Sequence, residues 1–114
     1  MNTYFGIVAF SVSFLFGVSA FSQSQPEMNQ ASQADFDKAD AQLNVLYKQI
    51  LAGLDKEGKK KLVASERAWL AYRDAEADYE ADSERGGSMV PLIYNQACLE
   101  MTEARIKQLN KPAE

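Results

Sequence analysis

Apolar residues recur every three or four positions in three stretches of this chain, the spacing of one buried helix face. In the first, Phe36, Ala39, Leu43, Leu46, Tyr47, Ile50 and Leu54 keep this period. Ser24-Gln25-Pro26-Glu27 reads as a capping box before it, with Pro tolerated in the first turn. Gly53 is placed to close its last turn in a left-handed conformation. In the second, Leu62, Ser65, Trp69, Tyr72, Glu76 and Tyr79 form a stripe that Ala68 and Leu70 widen. Asp55 is its expected cap, Gly58 weakens its first turn, and the helix is predicted over about 56–82. Arg85-Gly86-Gly87 then predicts a tight reversal. Ser88 is the expected cap of a third helix with Pro91 in its first turn. Its apolar face is Val90, Ile93, Tyr94, Ala97, Cys98, Met101 and Leu109, and Pro112 forbids further helix. No strand-like alternation of useful length occurs. The expectation is an all-α fold of three antiparallel amphipathic helices in an elongated bundle, since a helix of this length spans about 39 Å.

The segment before the first helix changes the picture. Residues 1–22 contain no charged side chain, and Phe5 to Ala20 is apolar, a length that fits a signal peptide better than a membrane span. Small residues in Ala20-Phe21-Ser22 place cleavage before Gln23, with Val18-Ser19-Ala20 as a second site. The expected organisation is a cleaved signal peptide over 1–22 and one helical domain over 23–114, periplasmic or secreted. An uncleaved anchor is the alternative, because no Lys or Arg precedes the apolar run.

All charged side chains lie beyond that segment, 12 Lys+Arg against 16 Asp+Glu, for a net charge of −4. An acidic balance argues against nucleic acid and against an anionic membrane surface after signal cleavage. It is compatible with a basic partner, or with nothing more than solubility.

The chain has no histidine and one cysteine, Cys98. Neither an imidazole-activated nucleophile nor an imidazole metal ligand is available, and no catalytic residue, metal or cofactor is expected. Cys98 reads as a buried small hydrophobe or as the link of a disulfide dimer of an otherwise monomeric or weakly dimeric protein. Carboxylates abound at Asp35, Asp37 and Asp40, and again at Asp74, Glu76, Asp78, Glu80, Asp82 and Glu84. Residues two apart on a helix point in different directions, so the second set rings its helix instead of converging on a cation. It reads as a solvated face or as an acidic docking surface. The stripe of Trp69, Tyr72 and Tyr79 reads as core, with Tyr47 placed to stack against it. Arg73, Asp74 and Arg105 suggest an interhelical ion pair, either Asp74 with Arg105 or Arg73 with a carboxylate of a neighbouring helix.

The set Ala39-Asp40-Ala41-Gln42-Leu43-Asn44 through Tyr47, Leu62, Glu66-Arg67-Ala68-Trp69-Leu70-Ala71-Tyr72-Arg73-Asp74, Gly86-Gly87-Ser88, and Cys98-Leu99 with Thr102, Arg105 and Leu109 resembles the LprI-type lysozyme-inhibitor domain. The resemblance covers about Met28 to Leu109. It implies an exported helical domain of the bacterial envelope, with lysozyme inhibition in at least one branch. It also implies that Asn44, Tyr47, Trp69, Tyr72, Arg73, Asp74, Cys98, Thr102 and Arg105 are structural motif residues. The family usually has Cys where Ala77 stands, facing Cys98, and often another where Ala31 stands. Glu66 stands where Gln is usual. On this resemblance Cys98 looks like the survivor of a lost disulfide.

Two functions follow. One is a binding protein that blocks a basic lysozyme. Arg85, beside Gly86, Gly87 and Ser88, would reach the carboxylates of the enzyme's cleft, and Glu80, Asp82 and Glu84 would steer the approach. The other is a non-catalytic helical interaction module or accessory subunit of the cell envelope.

Overall fold

The computed structural model describes residues 24–111. They form α1 (Gln25–Ala52), α2 (Lys56–Ala81) and α3 (Val90–Leu109), with a 3₁₀ turn at Asp82–Glu84 prolonging α2. No strand occurs among the described residues. The signal segment expected over 1–22 and the helix stop expected at Pro112 lie outside them.

Local sequence explains the helix starts. The Ser24 hydroxyl accepts from the Glu27 backbone N–H, and Pro26 fills the first turn, where its missing N–H costs nothing. The Asp55 carboxylate accepts from the Gly58 N–H at 2.8 Å. Two expected caps differ. Gly53 ends α1 with φ −87°, not in the left-handed region, because its N–H reaches back to the Ile50 and Leu51 carbonyls in a right-handed turn. Ser88 does not cap α3. Met89 holds that position without a side-chain bond, and the Ser88 carbonyl instead accepts from Asn29 Nδ2 at 3.3 Å. Only Gly86 in the reversal takes positive φ, +81°.

The central element is α3, which packs against both other helices, whereas α1 and α2 touch each other little. Cross-links fix the directions. Asn95 Nδ2 donates to Ser32 Oγ near the starts of α3 and α1, and Arg105, near the end of α3, pairs with Glu66 in the first half of α2. So α1 and α3 run parallel, and α2 runs against both. The α1–α2 turn and the end of α3 share one pole of the bundle; the Gly86-Gly87 reversal and the start of α1 share the other.

The core is thin and built from small residues. Ala39, Leu43, Ala77, Ala81, Ala97 and Cys98 are buried, and Phe36, Tyr94 and Met101 pack against the cluster of Ala77, Ala97 and Cys98. Ala77 and Cys98 are both fully buried in that cluster, the juxtaposition the family resemblance implies for its disulfide. Cys98 is a free thiol here. With no exposed surface it cannot link two copies unless the bundle opens, which corrects the expectation of a Cys98-linked dimer.

The buried face of α2 is not the aromatic stripe. Tyr72 and Tyr79 are 60% and 76% exposed, and the residues turned inward are Glu66, Arg73, Ala77 and Ala81. The face is rotated by about one residue. Turning it inward buries two ionic side chains and two alanines; Arg105 on α3 pairs with Glu66, and Asp40 on α1 pairs with Arg73.

Candidate functional site

Two constellations stand out: a buried ionic ladder through the middle of the bundle, and an exposed charged surface around the reversal.

The ladder has two rungs. Arg73 on α2 joins all three helices. Its Nη1 donates to Asp40 Oδ1 on α1 at 3.0 Å and to Thr102 Oγ1 on α3 at 3.4 Å, while Nε donates to Asp74 Oδ1 at 2.9 Å. Burial lowers the pKa of this guanidinium, but the hydrogen bonds and charges of Asp74 and Asp40 outweigh it and hold the pKa above the ordinary value. Arg105 on α3 forms the second rung. Its Nε and Nη2 both donate to Glu66 Oε2, at 3.1 and 3.0 Å, Nη2 also donates to Ser65 Oγ, and Nη1 donates to Gln108 Oε1. Trp69 lies between the rungs, its ring 5.2 Å from the Arg73 guanidinium carbon and 5.7 Å from that of Arg105. Arg73 also sits 5.0 Å over Phe36. Contacts of cations with ring faces stabilise both partners. Among the described residues no buried side-chain polar atom lacks a partner.

Of the two ion pairs the sequence suggested, Arg73 with a neighbouring carboxylate is present, and Asp74 with Arg105 is not. Asp74 is taken by its own neighbour Arg73, and Arg105 lies lower on the bundle, opposite Glu66. Glu66, Asp40, Ser65 and Gln108 are site residues that pattern reading missed. The signal was present: Glu66 and Arg73 lie seven apart, on the face that continues to Ala77 and Ala81. Of the remaining motif residues, Tyr47 is half-buried and Asn44 exposed. The Trp69 ring meets guanidiniums where stacking by Tyr47 was expected.

Burial raises the Cys98 thiol pKa, against the smaller lowering effects of Tyr94 and Arg73, so the sulfur is held protonated. No group of three or more carboxylate or thiol side chains able to hold a metal occurs among the described residues.

The second constellation is exposed. Arg85 reaches back to Asp82 with Nε and Nη2, at 2.8 and 2.6 Å, and these bonds raise its pKa. Glu80, Asp82, Glu84, Gly86, Gly87 and Ser88 are all solvent-exposed around it. The fold therefore brings the reversal residues together with the acidic end of α2 as one surface. Opening the Arg85–Asp82 pair disturbs no buried group.

The helix order turns a mild net charge into a steep separation. The half of the bundle nearest the reversal, residues 24–43 and 71–103, holds twelve Asp and Glu against three Lys and Arg. The opposite half, residues 44–70 and 104–111, holds nine Lys and Arg against three Asp and Glu.

Fold and site together define a small all-helical domain, keyed by buried ion pairs and oppositely charged at its two ends. The chain belongs to the lysozyme inhibitor LprI family, whose model matches residues 19–109. It is also similar to an uncharacterized protein of Rhizobium meliloti (strain 1021), with 31% identity over 101 residues that cover 77% of this chain and 73% of the relative. No solved structure matches the chain. No helix among the described residues is long and apolar enough to cross a membrane.

Proposed function

We propose that the protein is an exported lysozyme-binding inhibitor, released by cleavage near Ser22–Gln23 into the periplasm or medium, and that it meets its target with the reversal pole. The observation that carries this reading is the charge separation. Animal-type lysozymes are basic, and a pole with twelve carboxylates against three basic side chains would accelerate encounter and orient it. Glu80, Asp82 and Glu84 lie on the approach surface. Arg85 would exchange its exposed partner Asp82 for the paired carboxylates of the lysozyme cleft, and Gly86, at φ +81°, lets the chain turn sharply beside it.

A cell-wall lysis assay tests the reading. The protein is titrated into a basic lysozyme at low and at physiological salt. The expected result is inhibition near stoichiometry that weakens as salt rises, and further on Arg85→Ala or on reversal of Glu80, Asp82 and Glu84 to Lys. Absence of inhibition across lysozyme classes overturns it. Inhibition that Arg85→Ala leaves unchanged removes only the role of that side chain.

One observation favours the second reading, a helical interaction module. A shallow groove runs between α1 and α3 from Met28 and Leu92, past Leu99, to Val45, Leu46 and Ile106. Its two ends are apolar and its middle is lined by Asp35, Lys38 and Glu103, so a partner helix laid there would be held mainly by apolar contact and would respond to salt less than a charge-steered complex.

A further inference from the structure

The pole opposite the reversal carries seven of the chain's eight lysines: Lys48, Lys56, Lys59, Lys60, Lys61, Lys107 and Lys111. All seven are exposed, and none is in an ion pair among the described residues. From this we infer that the lysine pole is a docking surface for an anionic lipid bilayer, with the bundle standing on the headgroups and its acidic pole turned outward.

Helix stability does not explain the cluster. Lys107 lies in the last turn of α3, where a cation complements the helix dipole. Lys56 and Lys59 lie in the first turn of α2, where the same dipole disfavours them, and Lys60 and Lys61 follow directly. Lys56 also repels Lys59 and Lys60, at spacings of three and four, while Lys61 has Glu57 four residues before it. Asp55 and Glu57 are the only nearby acids, and Asp55 is engaged with the Gly58 N–H. An arrangement that opposes the fold's own electrostatics is relieved by an external anion.

The type of cation points to the type of anion. Arginine recognises single carboxylates or phosphates through a planar fork, whereas lysine is a mobile point charge on a flexible stem. Of the eight exposed basic side chains in this half, seven are lysine and one is Arg67. The lysines lie in the helix segments on either side of the short Gly53–Asp55 turn and at the end of α3. That suits a broad, laterally mobile field of charge such as an anionic leaflet, where each nearby lysine adds to adsorption. Among the described residues the exposed large apolar side chains are Val45, Tyr72 and Tyr79, and none lies in the turn or the first turns of α2, so this surface docks by charge without insertion. The net charge of −4 opposes such a surface only for charge spread evenly, and here it is segregated by pole. This surface is separate from the lysozyme-facing pole and does not rest on the lysozyme reading.

Co-sedimentation with vesicles tests it, using the protein as its cell processes it. Vesicles of phosphatidylcholine with phosphatidylglycerol are compared with phosphatidylcholine alone, over a range of salt. Binding to the anionic vesicles should be at least about tenfold tighter and should fade with salt. Both K59E/K60E/K61E and, independently, K107E/K111E should reduce it, with helix content by circular dichroism unchanged. Any attachment through the apolar residues 5–20 would be indifferent to lipid charge and is removed by the comparison. Equal binding to both vesicles, or anionic binding that survives both variants, overturns the proposal. So does retention on an anionic cell-wall polysaccharide without binding to vesicles, which would reassign the pole to a polymer.

Discussion

Arg105 and Arg73 flank the same indole and are equally buried, yet their surroundings differ. Arg105 faces a carboxylate as hidden as itself, with side-chain exposures of 6% and 8% across the pair. Arg73 divides its bonds between Asp40 and Asp74, whose side chains are 36% and 54% exposed. The first is a closed lock between α2 and α3. The second is a hub joining three helices and leading outward to water. A closed pair punishes the loss of either member, because the survivor is stranded; an open hub lets its partners rehydrate.

The largest effect should therefore fall on the closed pair. Either Arg105→Ala or Glu66→Ala is expected to cost about 3–5 kcal/mol, a large share of a small domain's stability. Replacing both together with methionine should recover most of that loss, since a well-packed apolar pair can match a buried ionic one. Chemical denaturation of the four proteins checks it. A double variant as unstable as the single ones would show that geometry specific to the ion pair, and not stranded charge, holds α2 on α3.

Arg73→Ala should be milder, about 2–3 kcal/mol, from lost charged hydrogen bonds and lost contact with Phe36 and Trp69. Asp40→Ala should cost less again, because Asp74 still holds the guanidinium. Thermal unfolding should rank the variants Arg105, Arg73, Asp40 from largest loss to smallest. Equal losses at Arg105 and Arg73 would erase the distinction between lock and hub.

Much of this was legible beforehand, and the exceptions share a cause. Helix number, approximate boundaries and the caps at Ser24 and Asp55 depend on neighbours in sequence, which pattern reading sees. The inward turn of Glu66 and Arg73 does not. Their stems are apolar enough to bury only if another helix presents a partner, and that partner, Arg105 or Asp40, is more than thirty residues away. Tyr72 and Tyr79 were misplaced for the same reason: judged locally, aromatics belong inside and charges outside. The two poles are invisible in a net charge. They exist because α2 runs backwards, carrying Lys56 to Lys61 to the end of α3 and Asp74 to Glu84 to its beginning. The family resemblance supplied the register residues without saying how they bond.

The smallest effect sharpens the comparison from the hub side. Tyr94 and Cys98 lie in the core beside the Arg73 rung, and burial pushes the Tyr94 pKa up to about 12 and the Cys98 pKa above its ordinary 9.0. Both groups are held neutral in the folded state. Their contribution is fully present below the unfolded values. Above pH 9.0 for the thiol and 10.0 for the phenol, the unfolded chain ionises first, and stability falls until the folded groups follow. The loss attributable to Tyr94 should be on the order of 1 kcal/mol between pH 10.0 and about 12. Tyr94→Phe removes that ionisation, so the alkaline decline of the wild-type protein should exceed that of the variant in denaturant titrations across this window. Parallel declines would mean that the phenol is hydrated in the folded bundle and that the hub opens to water further up α3 than its two aspartates.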